Sequence, residues 1–133
     1  MTKKSKIEDM DFEIQFYEGI IKKKPDFFAA LSALGDLYTK KGEYEKGLEL
    51  DLRLTQLRPE DPIVLYNLAC SYSLINDTNL ALRTIKKAIN RGYDDFDFIQ
   101  QDKDLHNLHQ DSRFKRYFAR IKNKKNVSSG ETD

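Results

Sequence analysis

The sequence predicts an all-α fold made of stacked, antiparallel helix pairs. Three observations carry that expectation. The chain repeats itself at a shift of 34 residues, which places Pro25 on Pro59, Leu31 on Leu65, Leu34 on Leu68, Gly35 on Ala69, Tyr38 on Tyr72, Gly42 on Asn76, Gly47 on Ala81 and Leu48 on Leu82. A fixed period of this length is the mark of a repeat architecture. Within each unit the apolar residues recur at spacings of three and four, which is the helical period. Turn residues are scarce, with 6 Gly and 3 Pro among 133 residues, too few for a chain dense in β-turns.

Each element can be justified in turn. Residues 10–24 carry Met10, Ile14, Tyr17, Ile20 and Ile21 and read as one helix that ends before Pro25. Leu31, Leu34, Leu37 and Tyr38 define the next helix. Lys40, Lys41 and Gly42 supply basic residues and a left-handed stop at its end. A third helix starts near Tyr44, places Gly47, Leu50, Leu54 and Leu57 on one stripe, and stops at Pro59. Asp61-Pro62 then opens the second unit as an N-cap followed by a first-turn proline. Its inner stripe is Leu65, Leu68, Ala69 and Tyr72. Asn76-Asp77 replaces the glycine turn: Asn tolerates positive φ and Asp can cap the next helix. Ala81, Leu82, Ile85, Ala88 and Ile89 form the closing helix of that unit, which Gly92 terminates. Gly35 and Ala69 are expected to face Gly47 and Ala81, their small side chains letting the paired backbones approach.

These residues resemble the tetratricopeptide repeat (TPR) family. The family pattern of a large apolar residue, Leu-Gly, Tyr, Ala and a closing Pro is met by Leu31, Leu34-Gly35, Tyr38, Gly47 and Pro59, and again by Leu65, Leu68-Ala69, Tyr72 and Ala81. Leu stands where the family has Trp, Asp51 and Ile85 stand where an aromatic is common, and Tyr93 stands where a third Pro would fall. The resemblance implies a right-handed superhelix of antiparallel helix pairs, an α-solenoid. It divides the chain into a half repeat (10–24), two repeats (28–61 and 62–95) and C-terminal capping helices (96–122) in a single domain, 10–122. Residues 1–9 and 123–133 are expected to be disordered tails, on their charged and small polar composition.

Composition excludes several function classes. The 23 basic and 22 acidic residues nearly cancel, giving a net charge of +1 that does not argue for nucleic acid. Cys70 is the single cysteine, so no internal disulfide is possible and a reducing compartment fits. With no signal-peptide pattern and no apolar run of membrane length, the expected location is cytoplasmic. No phosphate loop, dinucleotide fingerprint or nucleophile elbow occurs. His106 and His109 lie three apart near Asp102, Asp104 and Asp111, and read better as a solvated turn than as a metal site. Asp94, Asp95 and Asp97 lack the alternation of a calcium loop and suit a helix cap. The chain is therefore expected not to be an enzyme and to need no metal or cofactor.

The expected activity is protein–protein interaction, as an adaptor or scaffold. In the TPR family the first helix of each pair lines a concave face that holds a peptide or helix of a partner. Carried onto this sequence, that face is Ser32, Asp36, Thr39, Ile63, Tyr66, Asn67, Cys70 and Ser73. Family members that grip a C-terminal carboxylate use Lys, Arg and Asn there. Only Asn67 matches, so no such clamp is expected. Two alternatives remain. Phe12 and Phe16 lack an evident cover and could serve self-association. Residues 113–125 hold seven basic residues and no acid, which could meet an anionic surface.

Overall fold

A computed structural model of the chain describes residues 3–131, with side chains described over 5–126. Among the described residues eight α-helices succeed one another: α1 (Lys3–Lys23), α2 (Phe28–Lys41), α3 (Tyr44–Leu57), α4 (Pro62–Leu74), α5 (Thr78–Asn90), α6 (Phe96–Gln101), α7 (His106–His109) and α8 (Ser112–Glu131). A 3₁₀ turn, Lys103–Leu105, sits between α6 and α7. No strand occurs among the described residues.

Local chemistry fixes the boundaries. Gly42 ends α2 at φ 88° and Gly92 lies just past α5 at φ 114°, both in the region that side chains penalise. Asn76 takes the same role at φ 64°. Asp61 caps α4 by accepting from the Ile63 and Val64 N–H groups at 2.9 and 3.3 Å. Asp77 caps α5 through Leu80 N–H at 3.1 Å, and Asp95 caps α6 through Phe98 N–H at 3.1 Å. Of the acids at 94–97, Asp95 is the capping residue.

The two tails expected to be disordered are helical instead. The first helix begins at Lys3 rather than near residue 10, and α8 runs on to Glu131. Residues 3–9 and 123–129 contain no Pro or Gly, so nothing in them stops a helix already nucleated by its packed segment. Positions 1, 2, 132 and 133 of those tails lie outside the described residues.

Adjacent helices pack in chain order, α1 on α2, α2 on α3, α3 on α4 and α4 on α5. In the α2–α3 pair the backbones approach where side chains are smallest. A Cβ added at Gly47 would lie 2.8 Å from Thr39 Oγ1 and 3.6 Å from the Gly35 carbonyl oxygen. Thr39 itself donates its hydroxyl to the Gly35 carbonyl at 3.1 Å. In the second pair Ala69 and Ala81 are both fully buried in one core.

Two apolar clusters result. One gathers Ile14, Leu31, Leu34, Leu37, Tyr38, Leu50, Leu54 and Val64 from α1 to α4. The other gathers Leu65, Ala69, Ala81, Ile85, Ala88, Ile99, Leu105, Leu108 and Phe114, joining α4 and α5 to the C-terminal segment. Helix α4 belongs to both. Eight of its residues are buried: Val64, Leu65, Tyr66, Leu68, Ala69, Cys70, Ser71 and Ser73. It is enclosed because the 3₁₀ turn and α7 pack on it as well as α3 and α5. Ile99, Leu105 and Leu108 are fully buried against it and α5, and truncating any one to Ala removes contacts worth about 2–5 kcal/mol.

Candidate functional site

The residues expected on one open face separate into two groups. Ser32 and Thr39 are half-buried, Asp36 and Ile63 are exposed and Asn67 is half-buried, so these five reach the surface. Tyr66, Cys70 and Ser73 are largely covered: Tyr66 and Cys70 keep an edge on the groove beside α4, and Ser73 lines neither of its hollows. The three residues are 3%, 7% and 0% exposed, because α6, the 3₁₀ turn and α7 fold back over that side of α4. Ser73 holds the segment down: its carbonyl accepts from Asn107 Nδ2 at 2.9 Å and its Oγ accepts from Leu108 N–H at 3.2 Å. Tyr66 stacks on Tyr93 with centroids 4.2 Å apart and donates its hydroxyl to Asp102. Cys70 Sγ lies 3.7 Å from the same carboxylate. Burial, followed by the charge of Asp102, pushes the Cys70 thiol well above its ordinary value, which disfavours the thiolate.

What remains open is a groove beside α4, formed of two adjoining hollows that share Tyr66, Asn67 and Phe98. The first, about 210 Å³, lies between α2, α4 and the C-terminal segment, and Asp36, Asp51, Asp102 and Asp104 line it together with Lys40. The second, about 490 Å³, is lined by Ile63, Tyr93, Asp94 and Asp95. Two apolar side chains stand out to solvent along this strip, Ile63 at 64% and Phe98 at 49% exposed. The groove is therefore an apolar strip bordered by carboxylates at both ends.

Electrostatics sharpen that description. Asp36 is exposed as a residue, yet partial desolvation at the groove wall raises its carboxyl above the ordinary value, with Lys40 opposing. Burial also raises Asp104, helped by Asp102 and Asp36. Asp51 is the extreme case: burial pushes it up to about 6, the Ser71 hydroxyl that donates to it pulls the other way, and Asp36 adds to the rise. Crowded, partly desolvated carboxylates that raise one another favour a cation among them.

Sequence reasoning missed Phe98, Asp102, Asp104, Tyr93 and Asp51 as groove residues. A signal was available. Residues 62–74 contain no charged side chain at all, and a helix without charge is covered on most sides. Its cover had to come from the segment C-terminal to α5.

The other candidates from the sequence lie elsewhere. His109 Nε2 is 2.8 Å from the Ile99 carbonyl oxygen, whereas His106 is exposed, so the two rings do not converge. Among the described residues no group of three or more His, Cys, Asp and Glu is arranged to hold a metal ion. The basic run on α8 folds partly against its own chain: Arg113 pairs with Asp111 at 2.7 Å, Lys122 Nζ donates to Gln100 at 2.6 Å, and Lys125 Nζ donates to the Asp94 carbonyl at 3.1 Å. Phe12 and Phe16 stand out from α1 at 73% and 58% exposed. No helix of the described residues is long and apolar enough to cross a membrane.

Comparison with known proteins gives one partial likeness. The chain is 34% identical over 80 residues to a chloroplastic protein of Arabidopsis thaliana. That stretch is 58% of this chain and 24% of the relative, so the chain spans about a quarter of the protein it matches. No family model matches the sequence.

Proposed function

We propose that the chain is a non-enzymatic protein-interaction module, an adaptor or scaffold of the TPR type, whose stacked helix pairs form a short solenoid that holds a partner peptide beside α4. The 34-residue period and the sequential packing of α1 to α5 support the solenoid reading. The observation that carries the binding reading is the groove itself, where exposed Ile63 and Phe98 flank Asn67 between two sets of carboxylates. An apolar anchor of the partner fits between Ile63 and Phe98, and Asn67 can donate to and accept from its backbone. Basic side chains on either side of the anchor meet Asp36 and Asp104 at one end and Asp94 and Asp95 at the other. A carboxylate-bearing peptide is disfavoured by the same groups. The buried free thiol of Cys70 suits work in a reducing compartment such as the cytoplasm.

The test is selection of random peptides displayed on phage against the immobilised chain. Enriched sequences should carry Lys or Arg around an apolar residue, lose binding with Ile63→Asp and Asn67→Ala, and weaken as salt rises. Enrichment of acidic peptides, or binding indifferent to Ile63→Asp, would contradict this reading.

A further inference from the structure

A second surface lies on the other end of the helix array and is independent of the groove. Helix α1 packs on α2 through Ile14, with Met10, Tyr17 and Ile21 beside it. A second face, turned away from that packing, carries Asp9, Phe12, Phe16, half-buried Ile20 and Lys23, at spacings of three, four, four and three. This is one stripe of a helix. Phe12 and Phe16 are the two most exposed large apolar residues on that face, and a Cβ added at Gly19 beside them would meet nothing within 4 Å. Among the described residues neither Asp9 nor Lys23 has an ion-pair partner.

The stripe is symmetric about Phe16, and its charge is not. Reading outward from Phe16, Phe12 is matched by Ile20 and acidic Asp9 by basic Lys23, with Glu8 matched by Lys24 beyond. We propose that this face docks a second copy of the chain, α1 against α1, antiparallel about a two-fold axis at Phe16. In that arrangement Phe16 meets its own counterpart, Phe12 meets Ile20, and Asp9 meets Lys23 twice over. A parallel pairing would set Asp9 on Asp9 and Lys23 on Lys23. Self-complementarity of this kind is what a two-fold interface requires, and opposed charges fix the register. The patch is small, so the dimer is of the weak, transient class.

Sedimentation equilibrium on the full chain, up to about 1 mM, reads the association directly. The expected result is a monomer–dimer equilibrium that Phe16→Asp weakens at least about tenfold, the loss of a buried aromatic anchor. Asp9→Lys and Lys23→Asp should each weaken the dimer at low salt. The double variant Asp9→Lys/Lys23→Asp should restore it, because the reversed charges again meet opposite partners. These side chains are exposed, and circular dichroism of each variant verifies that the fold is kept. A chain that stays monomeric throughout, that forms trimers or larger species, or that is not rescued by the double reversal would overturn the proposal.

Discussion

Replacing Asp51 by Asn should stabilise the protein at neutral pH and do little in acid. Asp51 lies on α3 at 8% exposure, facing Gly35 of α2 and accepting the Ser71 hydroxyl of α4. Burial lifts its carboxyl from 3.8 to about 6. The folded state then binds this proton more tightly than the unfolded chain does. The resulting stabilisation is fully present below about pH 3.8 and is lost as pH rises through about 6. At pH 7.5 the group is ionised at a cost of roughly 3 kcal/mol relative to the neutral form. Asn has the same shape, stays neutral and keeps an oxygen for Ser71. Allowing for imperfect replacement of the hydrogen bond, the expected gain is about 1–3 kcal/mol at pH 7.5. That corresponds to about 3–5 °C in Tm per kcal/mol for a chain of this size. Urea denaturation of both proteins at pH 4.5 and 7.5 measures the difference, in which the contribution of Asp104 cancels and the relief of Asp36–Asp51 repulsion adds to the gain at pH 7.5. A variant no more stable than the parent at pH 7.5, with an unchanged pH dependence, would refute the reasoning.

Two further outcomes test the packing. Ser73→Ala should cost about 1–3 kcal/mol in denaturant unfolding, because the buried Leu108 N–H loses its acceptor; an unchanged midpoint would mean that α7 is not seated on α4. Ala81→Leu should cost about 1–3 kcal/mol by overpacking a fully buried position in the α4–α5 pair, read as a lowered Tm.

The helices of the two central pairs were legible because their signals are local. Gly42, Asn76 and Gly92 adopt the positive φ their residue types suggest, and Asp61 and Asp77 cap where the sequence places them. The tails were not legible from composition, since their Lys residues are good helix formers and their Ser, Asn and Asp lower helix propensity without stopping a helix. The site was half legible. Ile63, Asn67 and Asp36 reach the surface as the helical period predicts. Tyr66, Cys70 and Ser73 share that period but are covered by residues 96–109, a contact more than 30 residues away in sequence for the hydrogen bonds of Tyr66 and Ser73. Periodicity states which residues share a face; it does not state what lies on that face. The absence of charge along α4 was the cue to its cover.

The central claim is that the C-terminal segment covers α4 so that Ile63, Asn67 and Phe98 stand out along the groove while Cys70 stays nearly buried at its wall. Labelling of the native chain with a small disulfide thiol reagent at pH 8 tests it, with an Asn67→Cys variant, at a half-buried position that reaches the surface, as the reference three residues away. The account predicts that Cys70 reacts only as fast as the protein opens, while the cysteine at position 67 reacts within mixing. Rapid stoichiometric labelling of Cys70 in the folded protein would contradict it.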